Sequence, residues 1–143
     1  MKPFLIITAL FLSLAFVGCK KESNPTPQTN NNVAFQSSDY DSANKIFRVK
    51  ASSSGVAYTI TIKRTPQSNP NAADIQQGNQ STGDAFEYPF TPNIGDKIEI
   101  TAQSTTGNVY LYALYKGAVL SGVNTQKNST GGTTATFSYT VTN

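Results

Sequence analysis

The chain has 143 residues, with eleven basic and eight acidic side chains, no histidine, no tryptophan and a single cysteine, Cys19. Without histidine or a second cysteine, the common zinc sites and the Ser–His–Asp and Cys–His catalytic constellations have no parts to be built from. The pI of about 9.0 owes much to Lys2, Lys20 and Lys21. From residue 33 onward the charges are scattered and nearly balanced, so no basic face for nucleic acid is implied.

Residues 1–18 read as a signal peptide. Lys2 supplies a positive start, and Phe4 to Val17 is apolar except for Thr8 and Ser13. As a helix this stretch would measure roughly 21 Å, short of a ~30 Å hydrocarbon core, which favours a cleaved signal over a permanent span. Gly18 lies directly before Cys19, and polar sequence begins at once. The junction resembles the lipobox of bacterial lipoproteins, whose cysteine thiol is diacylglycerated and whose new amino terminus is acylated, for example with palmitate. It departs from the usual pattern in having Phe16 where Leu is common. An ordinary secretory signal with an incidental cysteine is the alternative. The resemblance implies membrane attachment through Cys19, and several acyl chains at ~0.8 kcal/mol per buried CH₂ make such attachment stable.

Lys20 stands where inner-membrane lipoproteins commonly carry Asp, which implies the outer membrane. Lys20-Lys21-Glu22 resembles the charged tether signals of some surface lipoproteins of Bacteroidetes, so the periplasmic and the outer face both stay open. From Cys19 to Asn32 there is no aliphatic or aromatic residue after the cysteine. The segment cannot bury enough apolar surface to offset its ordering entropy, and it is expected to be a flexible tether. It would hold a single domain, residues 33–143, on the order of 20 Å from the bilayer.

Within that domain the hydrophobic period is two, the mark of half-buried strands. Phe47, Val49 and Ala51 alternate with Arg48 and Lys50, which are expected to point outward. Tyr58, Ile60 and Ile62 form a second run, and Phe86, Tyr88 and Phe90 a third, which Pro89 demotes to an edge. Ile98, Ile100 and Ala102 follow, then Val109 to Tyr115. Lys116-Gly117 is expected to turn a hairpin into Ala118–Ser121. Ala135, Phe137, Tyr139 and Val141 close the chain. Residues 64 to 84 interrupt this rhythm and are expected to be a polar loop. The pattern predicts an all-β sandwich or small barrel, with the sandwich favoured.

The order of these motifs is similar to that of the MmpS family of membrane-transport accessory proteins. Gly95-Asp96 opens a strand ending in Ala102-Gln103, and the strand Val109–Tyr115 closes on Lys116-Gly117 before a segment of small residues. The similarity covers roughly residues 46 to 141. It implies an immunoglobulin-like antiparallel β-sandwich of about seven strands outside the cytoplasm, beside a transporter that exports lipids or siderophores. A lipid anchor in place of the family's membrane helix, and Lys116 where an acid is common, are departures that bear on the transporter partnership. No catalytic residue carries over.

Val109–Tyr115 is apolar on both faces. With Val109, Leu111, Ala113 and Tyr115 in the core, Tyr110, Tyr112 and Leu114 form a possible binding surface for a sugar ring or a partner protein. The alternative is cross-strand packing, or cover by the N-terminal segment around Val33 and Phe35. Asp39-Tyr40-Asp41 has the start of a calcium loop but lacks its later ligands, and a solvated turn is expected. Glu87 and Glu99 are expected on outward strand positions, and Asp96 in a turn. Asp41-Ser42-Ala43 resembles a short bacterial O-glycosylation signal at Ser42; Asn79 and Asn128 begin N-glycosylation sequons that a bacterial lipoprotein rarely uses. Together these features predict a non-enzymatic envelope lipoprotein without metal or cofactor. Its alternative role is glycan binding or adhesion, through Tyr110 and Tyr112 or through the segment 64 to 84.

Overall fold

The computed structural model describes residues 35–143; the signal peptide, Cys19 and the whole of the tether, residues 19–32, lie outside the described residues. The polypeptide forms β1 (Phe47–Ser53), β2 (Tyr58–Thr65), β3 (Asp74–Gln80), β4 (Phe86–Phe90), β5 (Lys97–Gln103), β6 (Val109–Tyr115), β7 (Ala118–Val119), β8 (Asn124–Lys127) and β9 (Thr133–Thr140). These make two antiparallel sheets, β4-β1-β6-β7 (sheet A) and β3-β2-β5-β9-β8 (sheet B). The fold is the all-β sandwich that the alternation predicts.

Strand number differs from the expected seven because β3 and β8 are edge strands with few or no buried positions. The segment 64 to 84 is therefore not simply a polar loop: Asp74–Gln80 pairs along its whole length with β2. Nothing in Asp-Ile-Gln-Gln-Gly-Asn-Gln alternates in hydrophobicity, so periodicity could not reveal it. Pro89 sits in β4, which is an edge strand as expected, since proline cannot donate to a ladder.

The apolar residues of alternate positions meet between the sheets. Phe47, Val49, Ala51, Val109, Leu111 and Ala113 of sheet A pack with Ile60, Ile62, Ile98, Ile100, Ala135 and Phe137 of sheet B. Each large aliphatic or aromatic side chain buried this way stabilises the fold by roughly 1.5–3 kcal/mol. Tyr58 ties the layers together. Its hydroxyl donates to the backbone carbonyl of Ala51 (3.0 Å) and lies 3.1 Å from that of Asp84. Burial, with a smaller contribution from Asp84, pushes the phenol up to about 12.

Two turns match their sequence expectations. Lys116 (φ 50°) and Gly117 (φ 74°) both occupy the left-handed region, so β6 and β7 are joined by the two-residue hairpin that this geometry favours. Asp96 is buried, and its carboxylate accepts the Asn93 N–H at 2.9 Å, shaping the turn before β5.

Candidate binding surfaces

Sheet A does not present its outer face freely to solvent. The segment 35–40, containing a 3-10 turn at Ser37–Tyr40, lies across β1 and β6 like a strap. Phe35 meets Tyr112 edge to face at 5.3 Å, and the Lys50 ammonium sits 5.4 Å from the Phe35 ring centroid. Asp39 fastens the other end. Its Oδ2 lies 2.7 Å from Lys50 Nζ and accepts the Gln36 N–H at 2.7 Å, while its Oδ1 lies 3.4 Å from Arg48 Nε. Glu87 of β4 completes the cluster, 3.1 Å from Arg48 Nη1 and 3.4 Å from Lys50 Nζ.

Both Asp39 and Lys50 have side chains only 1% exposed. Two sequence expectations are corrected here. Lys50 does point away from the core, but into a covered layer instead of water. Asp39-Tyr40-Asp41 is not a solvated turn: Asp39 is a buried ion, while exposed Asp41 accepts the Ala43 N–H at 3.0 Å. Tyr40 is held beside this charge with its hydroxyl buried and without a hydrogen-bond partner. Burial first, and the Asp39 charge second, raise its pKa.

The three residues expected as a binding surface divide accordingly. Leu114 is 1% exposed and does not belong to an accessible surface; the outer face of β6 at this point is a second buried layer. Tyr110 and Tyr112 are half-buried. Both border a shallow groove that continues to Val123 and Thr125, although Tyr112 is also engaged by Phe35.

A second opening lies at the sandwich edge where β3 and β4 part. Ile62, Arg64, Asp74, Gln76, Tyr88 and Phe90 line an open cleft of about 90 Å³, room for a single group of a ligand and well below the ~300–1,000 Å³ of an enclosing ligand site. The strand registers explain its composition. Arg64, Gln76 and Asp74 share the inward parity of Ile60 and Ile62, since Arg64 pairs with Asp74 and Ile62 with Gln76. Tyr88 and Phe90 share the inward parity of Val49 and Phe47, and their rings lie 5.6 Å apart. Arg64 and Asp74 form an ion pair, and Arg64 Nε is buried without a hydrogen-bond partner. Sequence periodicity missed the polar half of this cleft because its strand carries no apolar alternation.

The remaining candidates are dispersed. Ser42 is exposed beside the strap. Asn79 is exposed on β3, whereas Asn128 organises its loop: its Oδ1 accepts the Gly132 N–H at 2.7 Å and its Nδ2 donates to the Ser104 carbonyl at 2.8 Å. Glu87 and Glu99 belong to the outer faces of opposite sheets, so they do not converge. A hydrogen bond from Lys97 (2.7 Å) holds the Glu99 carboxyl below its ordinary range. Among the described residues there is no cluster of potential metal ligands and no helix long and apolar enough to cross a membrane. Comparisons with protein-family models, with curated proteins and with solved structures find no match to this chain.

Proposed function

We propose that the chain is a non-enzymatic cell-envelope lipoprotein, anchored through lipid on Cys19 and acting by surface contact as an MmpS-like accessory or binding module. The observation that carries the contact reading is the strap. A sandwich whose outer face at β1 and β6 is covered by residues 35–40, through a buried Asp39–Lys50 pair, leaves its contacts to other faces. Among the described residues nothing covers the β3–β4 opening, which is available to a partner. The Gly18-Cys19 junction supports the anchor, and the turns at Gly95-Asp96 and Lys116-Gly117 are both formed, in keeping with the resemblance. An envelope transporter as partner rests on that resemblance alone. The outer membrane is the proposed location.

The anchor has a direct test. Cys19→Ala in the producing cell is expected to shift the protein from the membrane to the soluble fraction, or to leave it unprocessed. Unchanged processing and membrane partition would sink the lipid-anchor reading. Glycan binding is the second reading, and the mixed aromatic and polar composition of the β3–β4 cleft is the observation that favours it.

A further inference from the structure

The inward positions of β3 break the rule that organises the rest of the sandwich. Every other long strand points predominantly apolar side chains between the sheets. On β3 the corresponding positions are Asp74, Gln76, Gly78 and Gln80, directly beside the aromatic inner row of β4. Such violations of the binary pattern mark either function or defence against edge pairing. The two ends of β3 differ. At Gly78 an added Cβ would come within 3.1 Å of the Phe86 ring and 3.3 Å of Ile60, so glycine lets β4 close over the strand there. Toward Asp74 the layers part into the cleft described above.

From this arrangement we infer that the β3–β4 cleft is a binding subsite for a neutral saccharide, with Tyr88 and Phe90 facing its C–H surface and Arg64, Asp74 and Gln76 its hydroxyls. Sugar rings carry apolar C–H patches beside hydroxyls that each donate and accept. The cleft offers the matching set: aromatic rings with ordered neighbours, a carboxylate acceptor, an amide that does both, and a guanidinium. Arg64 Nε is buried, but its side chain is 30% exposed, so the guanidinium is held by its inner end with its outer end open to the cleft. The ligand is neutral because Asp74 already meets the charge of Arg64. The guanidinium is thus a fixed donor array, not a free anion receptor.

This inference rests on the surface-contact reading but is tested apart from the anchor. The full-length chain in a zwitterionic detergent is titrated with cellotetraose, mannotetraose and diacetylchitobiose, with sialyllactose as an acidic comparison, and followed by saturation-transfer NMR. At least one neutral saccharide is expected to bind. Gln76→Ala, on an exposed edge position, is expected to weaken it about three- to tenfold, the worth of one hydrogen bond. Arg64→Met with Asp74→Ala should abolish it, while circular dichroism stays unchanged and the melting temperature does not fall. Tyr110→Ala should leave affinity intact. The inference is overturned if no neutral saccharide of the panel binds, if only sialyllactose binds, or if affinity follows Tyr110 and ignores Gln76 and the Arg64–Asp74 pair. A negative result here with normal Cys19-dependent partition removes the saccharide site alone.

Discussion

Replacing Asp39 by Ala removes the carboxylate that fastens the strap and strands Lys50 in a layer where only 1% of its side chain meets water. Breaking one partner of a buried ion pair costs roughly 3–5 kcal/mol, because the remaining ion is desolvated without compensation. Two features of the structure lower the figure. Glu87 stays 3.4 Å from the ammonium, and the strap lies outside both sheets, so it can lift and return Lys50 to water. The loss is therefore capped by the free energy of docking the strap. That docking combines Phe35 on Tyr112, the capping bonds of the 3-10 turn and the ion pair. The expected loss is about 3 kcal/mol.

Urea unfolding of Asp39→Ala measures the total, and amide hydrogen exchange locates it. Protection should fall first at residues 36–44, and at the β1–β9 core by no more than the global loss. A companion pair separates charge from packing. Asp39→Leu with Lys50→Met replaces two buried ions by apolar groups of similar size, and stability should recover to within about 1 kcal/mol of the parent. A loss below about 1 kcal/mol in Asp39→Ala, together with unchanged exchange at residues 36–44, would refute a strap held by a buried ion.

Gly117→Val is expected to destabilise by roughly 2 kcal/mol or more. The residue sits at φ 74°, and its Cβ would fall 2.5 Å from the Tyr40 carbonyl oxygen and 2.8 Å from the Ser42 nitrogen, backbone that cannot move aside alone. In the Asp39→Ala background, where the strap is loosened, the added penalty should shrink toward the roughly 1 kcal/mol of the left-handed conformation; full additivity in denaturant melts would contradict the shared-strap geometry. Tyr58→Phe removes a hydroxyl that joins Ala51 and Asp84, at a cost of about 1 kcal/mol at neutral pH. Because the folded-state pKa of Tyr58 is raised from 10.0 to about 12, the stability it contributes is complete below about pH 10 and is lost as pH rises through about 12. The gap between parent and Tyr58→Phe should narrow across that window in urea midpoints, and a gap that widens would reverse the assignment.

Legibility from sequence followed burial. Strands with one face in the core announced themselves by period two: Phe47-Val49-Ala51 and Ile98-Ile100-Ala102 are found where the alternation puts them. The same logic failed for β3 and β8, whose edge positions leave seven and four residues with almost no apolar contrast. It failed differently for Lys50. Alternation correctly sends that side chain to the outer face, but it says nothing about a non-strand segment folding back over that face. Asp39 lies eleven positions earlier, and the ion pair depends on the path of the intervening turn at residues 41–46, which no local pattern encodes. The cleft combines both difficulties, since its aromatic half was visible in β4 and its polar half belonged to a segment without period.

The strap also decides between the two surfaces. A strand apolar on both faces, like β6, invites the idea of a sticky exposed patch. Phe35 on Tyr112 and the complete burial of Leu114 supply a structural reason for much of that outer row, leaving Tyr110 as its less committed member. No comparable reason exists for β3. Its inward Asp74 and Gln76 contribute nothing to the core, and their neighbours Tyr88 and Phe90 are only partly buried where a closed edge would cover them. A sandwich selected for stability alone would gain modestly by placing aliphatic residues at those exposed positions, since the part of each that met Tyr88 and Phe90 would bury area worth about 25 cal/mol per Å². Forgoing that gain needs an explanation, and two remain: protection of an open edge or contact with a ligand. Substituting Asp74 and Gln76 by Val separates them. Edge protection alone leads to greater stability of the monomer, self-association, and no change in saccharide contact. A ligand site leads to greater stability with the loss of a bound saccharide, whether or not the chains associate.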